Sequence, residues 1–157
     1  MSAPGRMRRV FLLGGTGFIG SRVLAALRRD PEVRVRVLGH RNVPYRELED
    51  VDLVTGSLTS FDLGWIERFE PDTIILLARL SGRRRLRRIV AAARGERANR
   101  RLVGWLARRA PDVRVVYVSG TLVYGNHGDA EVDERTPLSP IAYAREYVKA
   151  ERPWMEA

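Results

Sequence analysis

Near the end of the chain, three residues have the chemistry to move a proton. In the stretch SPIAYAREYVKAE, Ser139 to Glu151, Tyr143 is followed by Tyr147 and then by Lys149, the one lysine in the sequence. A phenol serves as a base at neutral pH only where a nearby cation lowers its pKa from about 10. On a helix, residues four apart share a face, whereas residues six apart lie about 240° around the axis. Lys149 therefore points away from Tyr143, and the residue sharing the tyrosine's face is Tyr147. Two readings stay open: a catalytic tyrosine without its partner, or a tyrosine with no catalytic task.

A second set of residues has the types needed to hold phosphate. VFLLGGTGFIGSRVL places Gly14, Gly17 and Gly20 at the junction of an apolar run and a helical pattern. Gly14 allows a sharp turn, Gly17 lets backbone approach a pyrophosphate, and Gly20 lets the helix pack against the strand. The helix N-terminus then offers free N–H groups and a partial positive charge. A dinucleotide is the expected ligand, contacted by Gly14, Thr16, Gly17, Phe18, Ile19 and Gly20; a merely tight structural turn is the alternative. After the second strand the chain reads Gly39, His40, Arg41, Asn42, with Glu47 the first acid. Without a carboxylate for the ribose 2′-hydroxyl, NADP is expected over NAD, with Arg41 the main 2′-phosphate clamp and His40 its helper. The plainer reading makes Arg41 one more solvated arginine.

The elements that position these groups alternate between strand and helix. Val10 to Leu13 reads as a strand, and Phe18 to Leu27 as a helix. Val33, Val35 and Val37 mark a second strand, whose interleaved Arg34 and Arg36 suggest one less buried side. Asp52 to Val54, Thr73 to Leu77 and Val113 to Val118 supply three more. Leu86, Ile89, Val90 and Ala93 form one helical stripe, and Ala98, Leu102, Trp105 and Leu106 another, with Gly95 expected to separate or kink them. A last helix is expected to begin near Ile141. Such alternation implies an α/β, Rossmann-like, doubly wound parallel sheet of order 3-2-1-4-5.

Composition narrows the function classes. At 157 residues and 45% hydrophobic, residues 1–157 suit a single domain. The absence of cysteine excludes a disulfide framework and thiolate chemistry, and His40 and His127 are too few and too far apart to build a metal site. No run approaches membrane-spanning length, and the Val10 to Leu13 run is too short for a signal peptide, so a cytoplasmic protein is expected. The formal net charge of +9 is arginine-borne and suits phosphate-bearing partners.

GGTGFIG, Asn99, YVSGTLVYG (Tyr117 to Gly125), VDERTPLSP (Val132 to Pro140) and the Tyr143 segment, in that order, resemble the extended short-chain dehydrogenase/reductase family of NAD(P)-dependent sugar-nucleotide epimerases, dehydratases and reductases. The resemblance spans nearly the whole chain. It implies a Rossmann fold, hydride transfer to and from a nucleotide-sugar substrate, and a tyrosine that takes a proton from a substrate hydroxyl. Tyr143 and Asn99 match the family's catalytic tyrosine and asparagine. The serine position is Gly120, flanked by Ser119 and Thr121, and the lysine position is Tyr147. As strand residues, Ser119 and Thr121 should point away from the side that a residue at 120 faces, although a loop distortion would bring Thr121 back as a stand-in. Ser57 stands where the family has an acid beside the adenine. Leu77, Ala78 and Arg79 replace a His-Ala-Ala run, which makes Ala78 a cofactor contact.

The resemblance reaches the end of these 157 residues before the family's C-terminal sugar-binding segment, so a truncated form, a fragment or a stand-alone cofactor domain is expected. These departures imply cofactor binding with weak or lost catalysis. A different class of reading is a regulatory or nucleic-acid-binding domain using Arg83 to Arg101, which holds nine arginines. That tract has no aromatic residue to stack bases, so nucleic acid is not the expected partner. A homodimer through the long helices is the remaining partner expectation.

Overall fold

The computed structural model describes residues 6–40, 50–80, 82–142 and 144–157. Their elements run β1 (Arg8–Leu13), α1 (Phe18–Leu27), β2 (Val33–Gly39), β3 (Asp52–Thr55), α2 (Gly64–Phe69), β4 (Thr73–Leu76), α3 (Arg85–Arg109), β5 (Arg114–Tyr117), a 3-10 turn (Thr121–Val123) and α4 (Ala144–Met155). The chain divides into two compact units, Met1–Arg79 with Gly104–Val118, and Leu80–Val103 with Ser119–Ala157.

The first unit contains one five-stranded sheet of order β3-β2-β1-β4-β5, all pairs parallel. This is the order that the alternating pattern predicts. Val10 pairs with Val35 on one side and Thr73 on the other, making β1 the central strand. Its apolar run is buried on both faces because successive side chains alternate. Leu12 packs with Leu24 of α1 and Val37. Phe11 meets Phe61 and Phe69 of α2, with ring centroids 6.3 and 6.2 Å apart.

The less buried side expected for β2 is covered in part. Arg36 Nε donates to Asp52 Oδ1 at 2.9 Å, and its guanidinium lies 4.6 Å from the Phe69 ring centroid. Its side chain is only 15% exposed, whereas Arg34 stays in solvent. A planar, weakly hydrated guanidinium can be covered this way once a carboxylate balances it.

The second unit is built on small residues. Ala91, Ala92 and Ala98 of α3 are buried, as are Ala144 and Ala150 of α4. The expected break at Gly95 does not occur, since α3 is continuous from Arg85 to Arg109. A Cβ at Gly95 would lie 3.2 Å from the Ala150 Cβ, so the glycine serves close helix packing instead. The final helix begins at Ala144 rather than near Ile141, with Ala142 in the left-handed region at φ 47°.

Candidate functional site

The glycine turn belongs to the first unit. Gly14 closes β1 with φ +91°, a conformation L side chains rarely adopt, and a Cβ there would lie 2.6 Å from the Ala78 nitrogen. At Gly20, a Cβ would overlap the Gly14 carbonyl oxygen. Both glycines are therefore demanded by the chain's own packing, and Gly14 and Ala78 stand side by side at the ends of β1 and β4.

Gly17 differs. Its φ of −81° suits any residue, and a Cβ there would meet only the Gly14 carbonyl oxygen, at the ordinary contact distance of 3.4 Å. Nothing among the described residues requires glycine at 17. The position is exposed and caps α1, which has no side-chain cap and no acid in its first turn. Phe18 is 87% exposed and Ile19 is 55% exposed, while Thr16 is half-buried. An uncapped helix start offering N–H groups, with no carboxylate to repel an anion, suits phosphate. His40 is exposed just after β2. Arg41 lies outside the described residues.

The second unit holds the groups matched to proton chemistry, except Tyr143, which lies outside the described residues. Asn99 is 2% exposed, and its Nδ2 donates to the Ala150 carbonyl at 2.7 Å. The Asn99 Oδ1 has no hydrogen-bond partner among the described residues. Tyr147, at the lysine position, is buried, whereas Lys149 is exposed.

The alternation expected around Gly120 fails for a simple reason: β5 ends at Tyr117, and Thr121 opens a 3-10 turn. Ser119 is thereby freed to donate to the buried Glu151 Oε2 at 2.6 Å, and Thr121 is exposed. Glu151 was not singled out by its type or spacing. The signal available for it was its place eight residues after Tyr143, on the inward face of α4 with Tyr147.

A different concavity of about 570 Å³ lies beside the starts of β1, β4 and β5. Two of its arginines are already engaged, Arg6 with Asp72 at 3.1 Å and Arg9 with Glu70 at 2.9 Å, so it offers an anion little. Among the described residues there is no cluster of metal-ligating side chains and no helix long and apolar enough to cross a membrane.

Residues 10–152 match the family model described as "NAD dependent epimerase/dehydratase family". No curated protein matches the sequence. Similar solved structures include a dTDP-glucose 4,6-dehydratase from Bacillus anthracis in complex with NAD, at 20% identity and TM-score 0.76, aligned over 92% of this chain and 48% of that one. A UDP-Glc/GlcNAc 4-epimerase from Campylobacter jejuni aligns at 18% identity and TM-score 0.77, over 95% and 48% of the two chains. The Bordetella bronchiseptica enzyme WbmH, in complex with NAD+, aligns at 22% identity and TM-score 0.77, over 96% and 52%. The present chain thus spans about half the length of these proteins.

Proposed function

The chain belongs to the NAD dependent epimerase/dehydratase family, and on that premise we propose that residues 1–157 act as one cofactor domain binding a nicotinamide dinucleotide at the glycine turn. The carrying observation is Gly17. The chain's own packing explains Gly14 and Gly20 but leaves Gly17 without a structural reason, and a pyrophosphate lying across the start of α1 supplies one. In this reading Gly14, Thr16, Gly17, Phe18, Ile19, Gly20 and Ala78 line the cofactor, and backbone N–H groups of α1 neutralise its phosphates.

NADP is the favoured cofactor, because Gly39, His40, Arg41 and Asn42 offer an arginine and a histidine but no carboxylate where β2 ends. The solved relatives named above that carry a cofactor carry NAD, so direct competition between the two is the relevant measurement. The bound nicotinamide would supply hydride transfer, and a nucleotide sugar is the substrate class in this reading. Tyr143 and Asn99 would take the proton-handling positions, with Thr121 standing in for the missing serine. Turnover is weak or lost, since Gly120 brings no hydroxyl and Tyr147 no ammonium. A cytoplasmic location and pairing of two copies complete the reading.

Calorimetric titration with NADP and NAD tests it. Gly17→Val should abolish binding while circular dichroism stays unchanged; equal affinity in the variant would refute dinucleotide binding at this turn.

A further inference from the structure

The glycine turn accounts for the phosphates of a dinucleotide and leaves its purine base without a partner, yet the first unit carries polar groups where that base would fall. The ends of β1, β2 and β3 lie in a row. The Gly14 N–H donates to the Leu38 carbonyl at 3.4 Å, and the Gly56 N–H donates to the Gly39 carbonyl at 2.9 Å. Thr16 stands beside the end of β2, since a Cβ on Gly39 would lie 3.4 Å from its Cγ2. With the pyrophosphate at Gly17 and the ribose at the end of β2, the base is carried onward to the end of β3.

A triad of hydroxyls stands there. Ser57 Oγ lies 2.9 Å from Thr59 Oγ1 and 2.8 Å from Ser60 Oγ. Ser57 is half-buried, while Thr59 and Ser60 are exposed. Their turn is closed by its own backbone, the Ser60 and Phe61 N–H groups donating to the Ser57 carbonyl at 3.0 and 2.9 Å, and it is anchored by the buried Leu58 and Phe61. It closes without help from the side-chain hydroxyls. The first acid after β3 is committed elsewhere: Asp62 Oδ1 accepts from the Gly64 N–H and Oδ2 pairs with Arg68, both at 2.8 Å.

Counting protons shows what such a triad can do. Three hydroxyls carry three protons and their two contacts use two, so one O–H remains to donate outward whichever way the others turn. Each oxygen also has two lone pairs, which leaves acceptor capacity as well. An ionised carboxylate can only accept, so it favours a base with an amino group and repels one with a keto oxygen at the same place. Resting on the cofactor reading, we propose that Ser57, with Thr59 and Ser60, reads the base of the dinucleotide and is indifferent between a 6-amino and a 6-keto purine. Toward adenine the triad accepts from the N6 amino group; toward hypoxanthine it rotates and donates to O6. The same rotation matches N1, an acceptor in adenine and a donor in hypoxanthine.

The test is calorimetric titration of the 157-residue chain with NADP, NAD and the hypoxanthine analogue of each. Each analogue should bind within about threefold of its adenine parent. Ser57→Asp should keep the adenine cofactors and weaken the hypoxanthine analogues about tenfold or more, by setting a carboxylate against O6. Circular dichroism verifies that the variant is folded, and Thr59→Asp, at an exposed position, is a second variant that should shift the ratio the same way. A wild type that binds NADP or NAD but rejects its analogue about tenfold or more would overturn base indifference while leaving the cofactor site standing. An unchanged ratio in both folded variants would show that the base does not reach the end of β3 and would overturn the assignment of Ser57. Binding of none of the four ligands would refute the cofactor reading itself, and this proposal with it.

Discussion

Asn99 Nδ2 donates to the Ala150 carbonyl at 2.7 Å while its Oδ1 is buried without a hydrogen-bond partner among the described residues. One half of the amide ties α3 to α4, and the other half keeps an acceptor available. Asn99→Ala should cost about 1–3 kcal/mol, because it removes a buried hydrogen bond and leaves a void. Urea unfolding with an unchanged m-value checks this; an unaltered midpoint would show that the tie contributes no net stability.

The two structural glycines should behave differently from Gly17. Gly14→Ala should cost about 1–2 kcal/mol from its left-handed backbone alone. Added to this is the close approach to the Ala78 nitrogen at 2.6 Å. Gly20→Ala should also destabilise the chain through overlap with the Gly14 carbonyl oxygen. Thermal unfolding should show both losses and none of comparable size for Gly17→Val.

Arg41→Ala should reduce the preference for NADP over NAD by about 1.5–3 kcal/mol, the worth of one charge-assisted hydrogen bond. Titration of wild type and variant with each cofactor gives the difference. Should the wild type hold both cofactors equally, Arg41 is not the clamp.

Tyr147→Lys would place an ammonium at a buried site, where desolvation lowers its pKa in the folded state below its unfolded value. Between those two values the unfolded chain binds more protons, so the variant's stability should rise with pH relative to wild type. Paired with Gly120→Ser, the change restores the two missing group types, and hydride transfer on a panel of nucleotide sugars should rise above the wild-type level. Rapid wild-type turnover that Tyr143→Phe abolishes would instead show that other residues replace the missing groups.

Asp133 has its carboxyl held below the ordinary 3.8, first by the Arg135 backbone N–H and next by the Thr136 hydroxyl. The folded value is the depressed one, so the contribution of this turn is complete above the unfolded value and is lost as pH falls through the folded one. A carboxyl-detected NMR titration should find Asp133 titrating below 3.8 in the wild type. Thr136→Val should move it upward.

The strand, glycine turn and helix at the start of the chain were legible because a buried parallel strand and an amphipathic helix have different periods, and glycines mark the join. α2 was not, since Gly64–Phe69 is too short to display a helical period. The signal it did carry was Asp62, whose Oδ1 accepts from the Gly64 N–H at 2.8 Å. Gly95 misled because helix propensity penalises glycine, while its use here, close approach to Ala150, is a tertiary fact. Arg36 likewise alternates like an exposed residue yet lies on Phe69 beside Asp52, partners that come from elsewhere in the sequence. For the departures at 120 and 147, residue identity alone was informative; the Ser119–Glu151 bond was hidden because it depends on where β5 ends.

The central place of β1 also sets how the chain must fold. Val10 has Val35 as one neighbour, but its other side waits for Thr73, so the apolar strand cannot be enclosed until the intervening residues have formed their crossovers. Closure entropy is spent before the pairing repays it, which places refolding of this sheet in a slower range than helical bundles of similar size, milliseconds or longer rather than microseconds. During that interval Val10 to Leu13 presents an unpaired hydrophobic edge to other nascent chains. Stopped-flow refolding at increasing protein concentration should therefore lose yield before it loses rate, with aggregation competing at the half-closed sheet.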